Sequence, residues 1–184
     1  HRLEKSDRRI FARKCKVEEV PKDESREFFD GTHISGNVRR KKTFGLYHDG
    51  ELVMAMSLRT PFHKTYRDQK MVEIARMSAA LNTVVIGGVS RLMNAVKSWA
   101  KAEGYGGILS YADRRFGEGK GYLKTGFVFQ GETGPDYWYT DGRSRFNRFG
   151  YRAQDGRTEK AMAEAAGVSR IYGCGSNIFT LDLD

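Results

Sequence analysis

A helix is the clearest element that the spacing of apolar residues predicts in this chain. Between positions 89 and 100, apolar side chains recur every three or four residues, which places them on one face of a helix. They are Val89, Leu92, Met93, Val96, Trp99 and Ala100. Arg91 and Lys101 fall off this stripe. The pattern predicts an amphipathic helix that begins after Gly87-Gly88 and is capped at its C-terminal end by Gly104.

Strand patterns surround this helix. Two runs rich in apolar, β-branched or aromatic residues flank Asp49-Gly50, a dipeptide that tolerates the positive φ angles of a tight turn, so they predict a hairpin. Further strands are predicted at 71–78, 106–112, 127–130 and 136–140, with a short helix ending at Gly126. The order predicts an α/β (α+β) fold with a mixed, largely antiparallel sheet of about six or seven strands, flanked by helices.

The amino-acid composition of the sequence changes at Arg143. Residues 1–142 are expected to form the main domain, including a basic N-terminal segment. After them come arginines interleaved with aromatic residues, an alanine-rich helix ending at Gly167 and a closing hairpin. We therefore expect residues 143–184 to form a basic helix-hairpin appendage packed on the main domain.

The composition fits one domain with its own core, because the chain has 184 residues and is 39% hydrophobic. No apolar run approaches the roughly 18 residues needed to span a bilayer, and the N-terminal part is charged rather than signal-like. Cys15 and Cys174 stand far apart without a CxxC motif, which favours reduced thiols over a zinc site or disulfide framework. These features predict a cytoplasmic protein with no membrane partner.

Basic residues are clustered in this chain, whose net charge is +9 and whose pI is about 9.6. Such clusters bind polyanions because each neutralised phosphate releases counterions, so they favour double-stranded DNA as a partner over a merely solvated surface. The candidate DNA-binding residues are Arg39, Arg40, Lys41, Lys42, Arg114, Arg115, Arg143, Arg145, Arg148 and Arg152. In the stretch RSRFNRF the rings of Phe146 and Phe149 either stack with these arginines or belong to the core.

Two stretches carry candidate chemistry besides the glycine turn. Asp113 directly follows a predicted strand, at the end where ligands of open α/β sheets gather, although it could instead form a structural ion pair with Arg114 or Arg115. His33 and Ser35 lie in a polar loop before the hairpin. A neutral histidine there could serve as a base near pH 7, or be ordinary polar surface.

The Gly87-Gly88 turn is a candidate anion site. The first N–H groups of the following helix can be approached closely there, and together with the helix dipole they favour an anion. The alternative is a tight turn without a ligand. No metal site is expected, because Asp113 and Glu118 are the nearest approach to a carboxylate pair and their loop is basic.

Over about residues 43–140, the order of hairpin, strand, glycine turn, helix, strand and short helix ending in YLKTGF resembles the GNAT family of N-acyltransferases. In that family the glycine turn binds the pyrophosphate of an acyl-coenzyme A, and a splayed strand pair admits the pantetheine arm. The resemblance implies acetyl-CoA or a related acyl-CoA as cofactor. The residues that it implies for cofactor binding are Val85, Ile86, Gly87, Gly88 and Ser90. The glutamine or arginine that usually opens this loop is absent.

The same resemblance assigns candidate catalytic roles. Tyr122 matches the position of the family's general acid, whose hydroxyl can return a proton to a leaving thiolate, although it could simply pack on the sheet. Asp113 could orient a nucleophile or accept a proton. His33 and Ser35 complete the candidate catalytic residues if their loop lies over the same cleft.

Nearly the whole chain resembles the C-terminal domain attached to phage homing-type and HNH-like endonucleases. The segments that carry this resemblance include RRIFARKC, THISGN, LNTVVIGGVSRL, SYADRRFGEGKGYLKTGF and TEKAMAEAAGVSRIYGCG. The phage Mom DNA-modification proteins share a sparser version, notably the YAD stretch and the glycine-rich turn into a helix. The sequence contains no GIY-YIG pair and no HNH-like cluster of histidines and cysteines.

These resemblances imply a DNA-binding or targeting domain of a homing-type endonuclease, with a nuclease domain fused upstream. The alternative is a Mom-like or GNAT-type transferase that adds an acyl-type or related group to a DNA base or another amine. Mom-type proteins are implied to transfer a small group to adenine in DNA. A third option is an RNA- or ribosome-modifying acetyltransferase. A phage-encoded protein would act in the host cytoplasm.

Overall fold

Seven of the twelve strands form one mixed sheet in the computed structural model, which describes residues 6–183. The strands are β1 (Arg8–Phe11), β2 (Lys16–Glu19), β3 (Lys42–His48), β4 (Glu51–Arg59), β5 (Met71–Ala79), β6 (Thr83–Ile86), β7 (Gly107–Asp113), β8 (Val128–Glu132), β9 (Tyr137–Thr140), β10 (Arg145–Phe146), β11 (Ser169–Tyr172) and β12 (Ser176–Asp182). The helices are α1 (Lys22–Thr32), α2 (Lys64–Asp68), α3 (Gly88–Ala102), α4 (Lys120–Leu123) and α5 (Glu159–Ala165). The first residues of the predicted basic N-terminal segment, 1–5, lie outside the described residues.

The sheet order is β2-β3-β4-β5-β7-β12-β8. Strands β2 to β5 are antiparallel to their neighbours, whereas β5 and β7 run parallel. A mixed, largely antiparallel sheet flanked by helices confirms the predicted fold class. No helix among residues 6–183 is long and apolar enough to cross a membrane.

Helix α3 confirms the predicted apolar stripe. Leu92, Val96 and Ala100 are fully buried, because the 3.6-residue period turns all three toward the sheet. The helix ends at a left-handed glycine, Gly104 (φ 75°), and the N–H of Tyr105 returns to the carbonyl of Ala100 at 3.0 Å. This C-terminal glycine cap is the one that the sequence predicts.

The β3–β4 hairpin also forms as predicted. Asp49 (φ 52°) and Gly50 (φ 83°) both adopt positive φ angles, as the tight turn between twisted strands requires. Behind the hairpin, Phe29 of α1 is fully buried with Val20 and Ala55 in one apolar cluster. Helix α1 therefore covers one face of the sheet.

The chain forms two compact units whose boundaries differ from the expected division at residue 142. The first comprises the residues up to Tyr111, Gly121–Phe129 and the residues from Phe179 onward; the second comprises Ala112–Lys120 and Gln130–Ile178. The predicted closing hairpin does not form, because β11 pairs with β9 whereas β12 joins the seven-stranded sheet. Phe179 and Leu181 on β12 are buried, and this burial draws the strand into the sheet.

The second unit contains a small sheet of its own, in the order β10-β9-β11. Helix α5 begins at a side-chain cap, where Thr158 Oγ1 accepts from the N–H of Ala161 at 3.2 Å. Ala163 on this helix is 1% exposed and Tyr139 on β9 is 2% exposed. The two cysteines are both free thiols; Cys15 is buried and Cys174 is exposed.

Candidate active site

The sheet opens between two parallel strands of the first unit. The pairing of β5 with β7 ends at Ile74↔Ser110, although β5 itself continues to Ala79. At the same point β5 has a bulge, because Ser57 pairs with Arg76 but its neighbour Leu58 pairs with Ile74. A bulge increases the local twist and bends its strand, so it accounts for the loss of pairing. Beyond Ile74, β5 presents an edge that β7 does not cover.

The predicted anion turn lies just before α3. Gly87 adopts a left-handed conformation (φ 76°), and its carbonyl accepts the helix's first hydrogen bond, from the N–H of Arg91 at 3.1 Å. A Cβ on Gly88 would lie 2.5 Å from Met54 Sδ and 3.0 Å from Val85 Cγ1. Turn geometry and packing therefore explain both glycines. The N–H groups of the first helical turn have no acceptor within the helix and remain the predicted anion-binding feature.

The other residues predicted to bind cofactor flank this turn. Val85 and Ile86 end β6, which pairs in parallel with Ile10 and Phe11 of β1. Ser90 lies exposed in the first turn of α3. The structure thus brings all five predicted cofactor residues together in the first unit.

Tyr122 on α4 packs among aromatic rings of the first unit. Its ring stacks on Phe179 at 5.3 Å between centroids and meets the edge of Phe127 at 5.3 Å. Burial raises the pKa of Tyr122, and Ser110 offsets part of that rise. The Ser110 hydroxyl lies near the phenol yet finds no partner of good hydrogen-bond geometry among the described residues. The phenol therefore keeps its proton at neutral pH.

A buried ion pair, which the sequence pattern does not predict, lies beside the bulge. Glu73 is 2% exposed, and its carboxylate accepts from Arg59 Nε at 3.0 Å. Burial raises the pKa of Glu73 against the opposing effect of Arg59. The negative charge of Glu73 also acts on Tyr111 of β7, where burial and then Glu73 raise the pKa of the phenol to about 12. Only the strand register, which pairs Arg59 with Glu73, could have revealed this pair.

The predicted loop containing His33 and Ser35 lies against β5 at the bulge. Arg76 joins the two, since its Nη1 donates to the Ala75 carbonyl at 2.8 Å and its Nε donates to the Gly36 carbonyl at 2.9 Å. His33 Nδ1 accepts from the N–H of Ser35 at 3.1 Å. Burial and then the charge of Arg76 lower the pKa of His33 to about 4, so the imidazole is neutral at pH 7 and only weakly basic.

This low pKa predicts an acid-sensitive contribution to stability. The unfolded chain binds a proton at His33 below about pH 6.5, whereas the folded chain does so only near pH 4. The contribution of neutral His33 to the free energy of unfolding is therefore fully present above about pH 6.5 and is lost as the pH falls toward 4. We expect wild type to lose on the order of 1 kcal/mol relative to His33→Gln across this window, after allowance for solvent screening. Urea unfolding of both proteins at pH 7 and pH 4.5 measures the difference; parallel losses would contradict it.

In the second unit, Asp113 and Arg115 form a close ion pair. Arg115 Nε lies 3.0 Å from both carboxylate oxygens of Asp113, and the Arg115 backbone N–H also donates to Oδ1 at 3.0 Å. The hydrogen bonds from Arg115 hold the pKa of Asp113 below its usual range. The guanidinium carbons of Arg115 and Arg145 lie 5.1 and 4.7 Å from the ring centroid of Trp138. These hydrogen bonds from Arg115 therefore hold the Asp113 carboxylate in place.

Four further candidate DNA-binding residues lie in this unit. Arg114 pairs with Glu132 at 2.6 Å. Arg143 follows the Asp141 turn, whose carboxylate accepts from its backbone N–H at 2.8 Å. Arg148 and Arg152 are exposed and stack on aromatic rings.

The basic run Arg39 to Lys42 lines a groove of about 810 Å³ in the first unit, together with Lys22 and Arg26. Lys41 Nζ lies 3.0 Å from the Tyr105 hydroxyl, beyond the C-terminal end of α3. A helix of 15 residues is about 22 Å long, so the groove and the Gly87-Gly88 turn lie at opposite ends of α3.

Cationic side chains outnumber carboxylates in the lining of this groove, where six lysines and arginines stand against Glu19. The guanidinium of Arg40 is held by the Lys22 carbonyl and by Asn37 Oδ1, the latter at 3.1 Å. Burial and then the like charge of Arg26 lower the pKa of Arg40. Two anionic partners lie nearby, since Glu19 pairs with Lys42 and Asp23 with Arg26.

Within residues 6–183, no three histidine, cysteine or acidic side chains cluster in a way that could hold a metal ion. Of the carboxylate pair noted in the sequence, Glu118 pairs with Lys120 at 2.9 Å.

Comparison with solved structures shows which fold this is. A Bacillus subtilis acetyltransferase in complex with CoA is 16% identical, with a TM-score of 0.58 over 93% of this chain and 100% of its own. The ribosomal-protein-S18-alanine N-acetyltransferase from Escherichia coli is 9% identical, with a TM-score of 0.57 over 92% and 94%. A GNAT family acetyltransferase from Elizabethkingia anophelis with acetyl-CoA bound is 13% identical, with a TM-score of 0.50 over 92% and 99%. The fold is therefore that of the GNAT acetyltransferases, as predicted.

Sequence comparison identifies the family. No curated protein matches this chain significantly. The profile of the Mom protein family matches residues 14–172, which includes the open β5 edge, the glycine turn and most of the second unit. These findings favour the transferase alternative over an endonuclease targeting domain, and the likeness to homing endonucleases stays a prediction. A match over this much of the sequence shows that the chain belongs to the Mom protein family.

Proposed function

We propose that this protein is a GNAT-type transferase that takes a small group from an acyl-CoA and attaches it to a base of double-stranded DNA. The observation that carries the proposal is the open edge of β5, in a chain of the Mom family. The end of this edge, Ala79, pairs with Met54, whose sulfur packs against Gly88 at the start of α3. A DNA base offers the amine acceptor, and the basic surfaces supply affinity for its backbone.

The residues present fit an acyl-CoA. The N–H groups of Gly88, Val89 and Ser90 at the start of α3 would hold its pyrophosphate, since they have no acceptor within the helix. The edge of β5 from Ala75 to Ala79 would take the pantetheine arm. When bound, the coenzyme supplies an acyl group activated as a thioester.

Side chains of this protein would then donate the proton that the reaction needs and set the charge of the site. Tyr122, protonated at neutral pH and close to Ser110, is the proposed general acid. Asp113 belongs to the second unit, where it remains ionised beside Arg115, and its candidate catalytic role stays a prediction. His33 and Ser35 shape the loop against β5, and neutral His33 adds no charge to that surface.

Mass spectrometry of nucleosides tests the proposal. DNA from bacteria that express the wild-type chain should contain a base of increased mass, and Tyr122→Phe should reduce it by roughly 100-fold, the range for loss of a general acid. The phenylalanine keeps the ring that packs on Phe179 and Phe127. Unmodified DNA from the wild-type culture, combined with no thermal shift of the purified protein in acetyl-CoA, would refute the proposal.

The groove lined by Arg39 to Lys42 gives a separate prediction about DNA affinity. Arg39→Gln with Lys41→Gln should raise the Kd for a DNA duplex roughly 10-fold and lower the salt slope by about 0.9 for each phosphate that the protein no longer neutralises. Acetyl-CoA affinity should not change, because the groove and the glycine turn lie at opposite ends of α3. Lys64→Gln, an exposed lysine on α2, provides the charge control. Equal effects of the groove and control variants would contradict a role for the groove.

A further inference from the structure

Aromatic rings and guanidinium groups alternate in one stack in the second unit, which we call the arginine–aromatic ladder. Its members are Arg152, Phe149, Arg148, Tyr137, Arg170 and Tyr139. The guanidinium carbon of Arg152 lies 4.5 Å from the centroid of Phe149, and that of Arg148 lies 5.6 Å from the same ring. Arg148 also lies 4.7 Å from Tyr137. Phe149 thus has two cationic neighbours.

Arg170 extends the ladder from a distant part of the sequence. Its guanidinium carbon lies 4.3 Å from Tyr137 and 5.7 Å from Tyr139. The antiparallel pairing of β11 with β9 sets Arg170 directly opposite Tyr139. Tyr137 therefore contacts the guanidinium groups of both Arg148 and Arg170.

One carboxylate anchors the rings. Glu159 Oε1 accepts from the hydroxyl of Tyr137 at 2.5 Å and from that of Tyr139 at 3.0 Å. Its oxygens lie 3.9 Å from both Arg148 Nε and Arg170 Nη2, which is too far for a hydrogen bond. Glu159 thus holds the two tyrosine rings. Arg170 Nη2 donates to the Tyr139 hydroxyl at 3.2 Å, so the exposed guanidinium groups of Arg148 and Arg152 are the ones that the described contacts leave able to donate elsewhere.

We propose that the arginine–aromatic ladder binds the phosphate backbone of duplex DNA through its guanidinium groups and not through its rings. This inference rests on the proposed function, since it names the surface by which the transferase would hold its substrate. Arg148 and Arg152 are exposed. A guanidinium group that packs on a ring has less freedom to move, so its planar fork of donors loses less conformational entropy on binding a phosphate.

The arrangement argues for phosphates over bases. Proteins that bind single strands stack bases on open aromatic faces. In the ladder, the rings of Phe149 and Tyr137 already contact two guanidinium groups each. Phosphate contacts give affinity without sequence information, so the ladder would hold any duplex alike.

Fluorescence anisotropy with a labelled 20-base-pair duplex, full-length protein and no coenzyme tests the proposal. Arg152→Gln should raise the Kd roughly 5- to 10-fold and lower the salt slope by about 0.9, the value for one phosphate that is no longer neutralised. Arg148→Gln should act similarly. Arg152→Lys should restore only part of the affinity, because lysine keeps the charge without the planar fork.

The matched control is Arg157→Gln, an exposed arginine of the same unit outside the ladder, which should change the Kd less than 2-fold. Arg152 contacts Phe149 and not Glu159 in the described contacts, so its removal leaves the carboxylate anchor intact. Equal thermal stability of all variants confirms that folding is unchanged.

Three outcomes would overturn the ladder proposal: Arg152→Gln and Arg157→Gln weaken binding equally, the salt slope stays constant, or the variants lose affinity for a single-stranded DNA or an RNA duplex but keep it for duplex DNA. The test is independent of the transfer reaction. Ladder-dependent DNA binding without modified nucleosides would refute the proposed function alone. Modified nucleosides with ladder-independent binding would refute this inference alone.

Discussion

Ser90→Glu should weaken acetyl-CoA binding at least tenfold, about 1.4 kcal/mol, when measured by isothermal titration calorimetry. Ser90 lies exposed in the first turn of α3, among the N–H groups proposed to hold the pyrophosphate. A carboxylate there would repel the phosphates and compete for the same N–H groups. It should not harm folding, because acidic residues are favourable in the first turn of a helix.

Ser98→Glu is the matched control for this prediction. Ser98 is the same residue type, is exposed on the same helix and lies about two turns further along. The substitution adds the same charge far from the glycine turn, so acetyl-CoA affinity should stay within about 2-fold of wild type. An equal loss in both variants would indicate a general charge effect and contradict a coenzyme site at the start of α3.

Glu73→Ala should be the most destabilising substitution considered, at about 3–5 kcal/mol in urea unfolding. Removing the carboxylate leaves the guanidinium of Arg59 largely buried, with 18% of its side chain exposed, and without its ionic partner. The same change should lower the pKa of Tyr111, because Glu73 contributes to its rise. Spectroscopic titration of tyrosine ionisation can follow this second effect.

The double variant Arg59→Met with Glu73→Met distinguishes a buried charge from a packing defect. Removing both charges together takes away the desolvation penalty, so the double variant should be clearly more stable than Glu73→Ala. If Glu73→Ala lowers the free energy of unfolding by less than about 1 kcal/mol, or if the double variant is no more stable than Glu73→Ala, the ion pair does not stabilise the bulged region.

The bulge links these two predictions. Ala75 is the extra residue on β5, and its carbonyl is satisfied by Arg76, whose side chain also binds the loop after α1. Arg59 and Glu73 lie at the same point of the β4–β5 ladder. Buried polar contacts thus fix the place where β5 separates from β7, and that separation creates the proposed coenzyme site.

Local pattern was enough to predict several elements. The apolar stripe of α3, its Gly104 cap and the Asp49-Gly50 hairpin each depend on residues within a few positions of one another. Helical period and left-handed turns are short-range properties, so the sequence carries them directly. The glycine turn before α3 was found in the same way.

Long-range packing decided the rest. The Arg59–Glu73 pair depends on strand register, and Arg170 reaches the ladder only because β11 lies beside β9. Sequence spacing likewise could not show that the basic groove lies at the far end of α3. Strand β12 leaves its expected hairpin because burying its apolar residues in the main sheet outweighs pairing with its neighbour in sequence. Such choices depend on burial and on contacts between distant residues, which local periodicity does not encode.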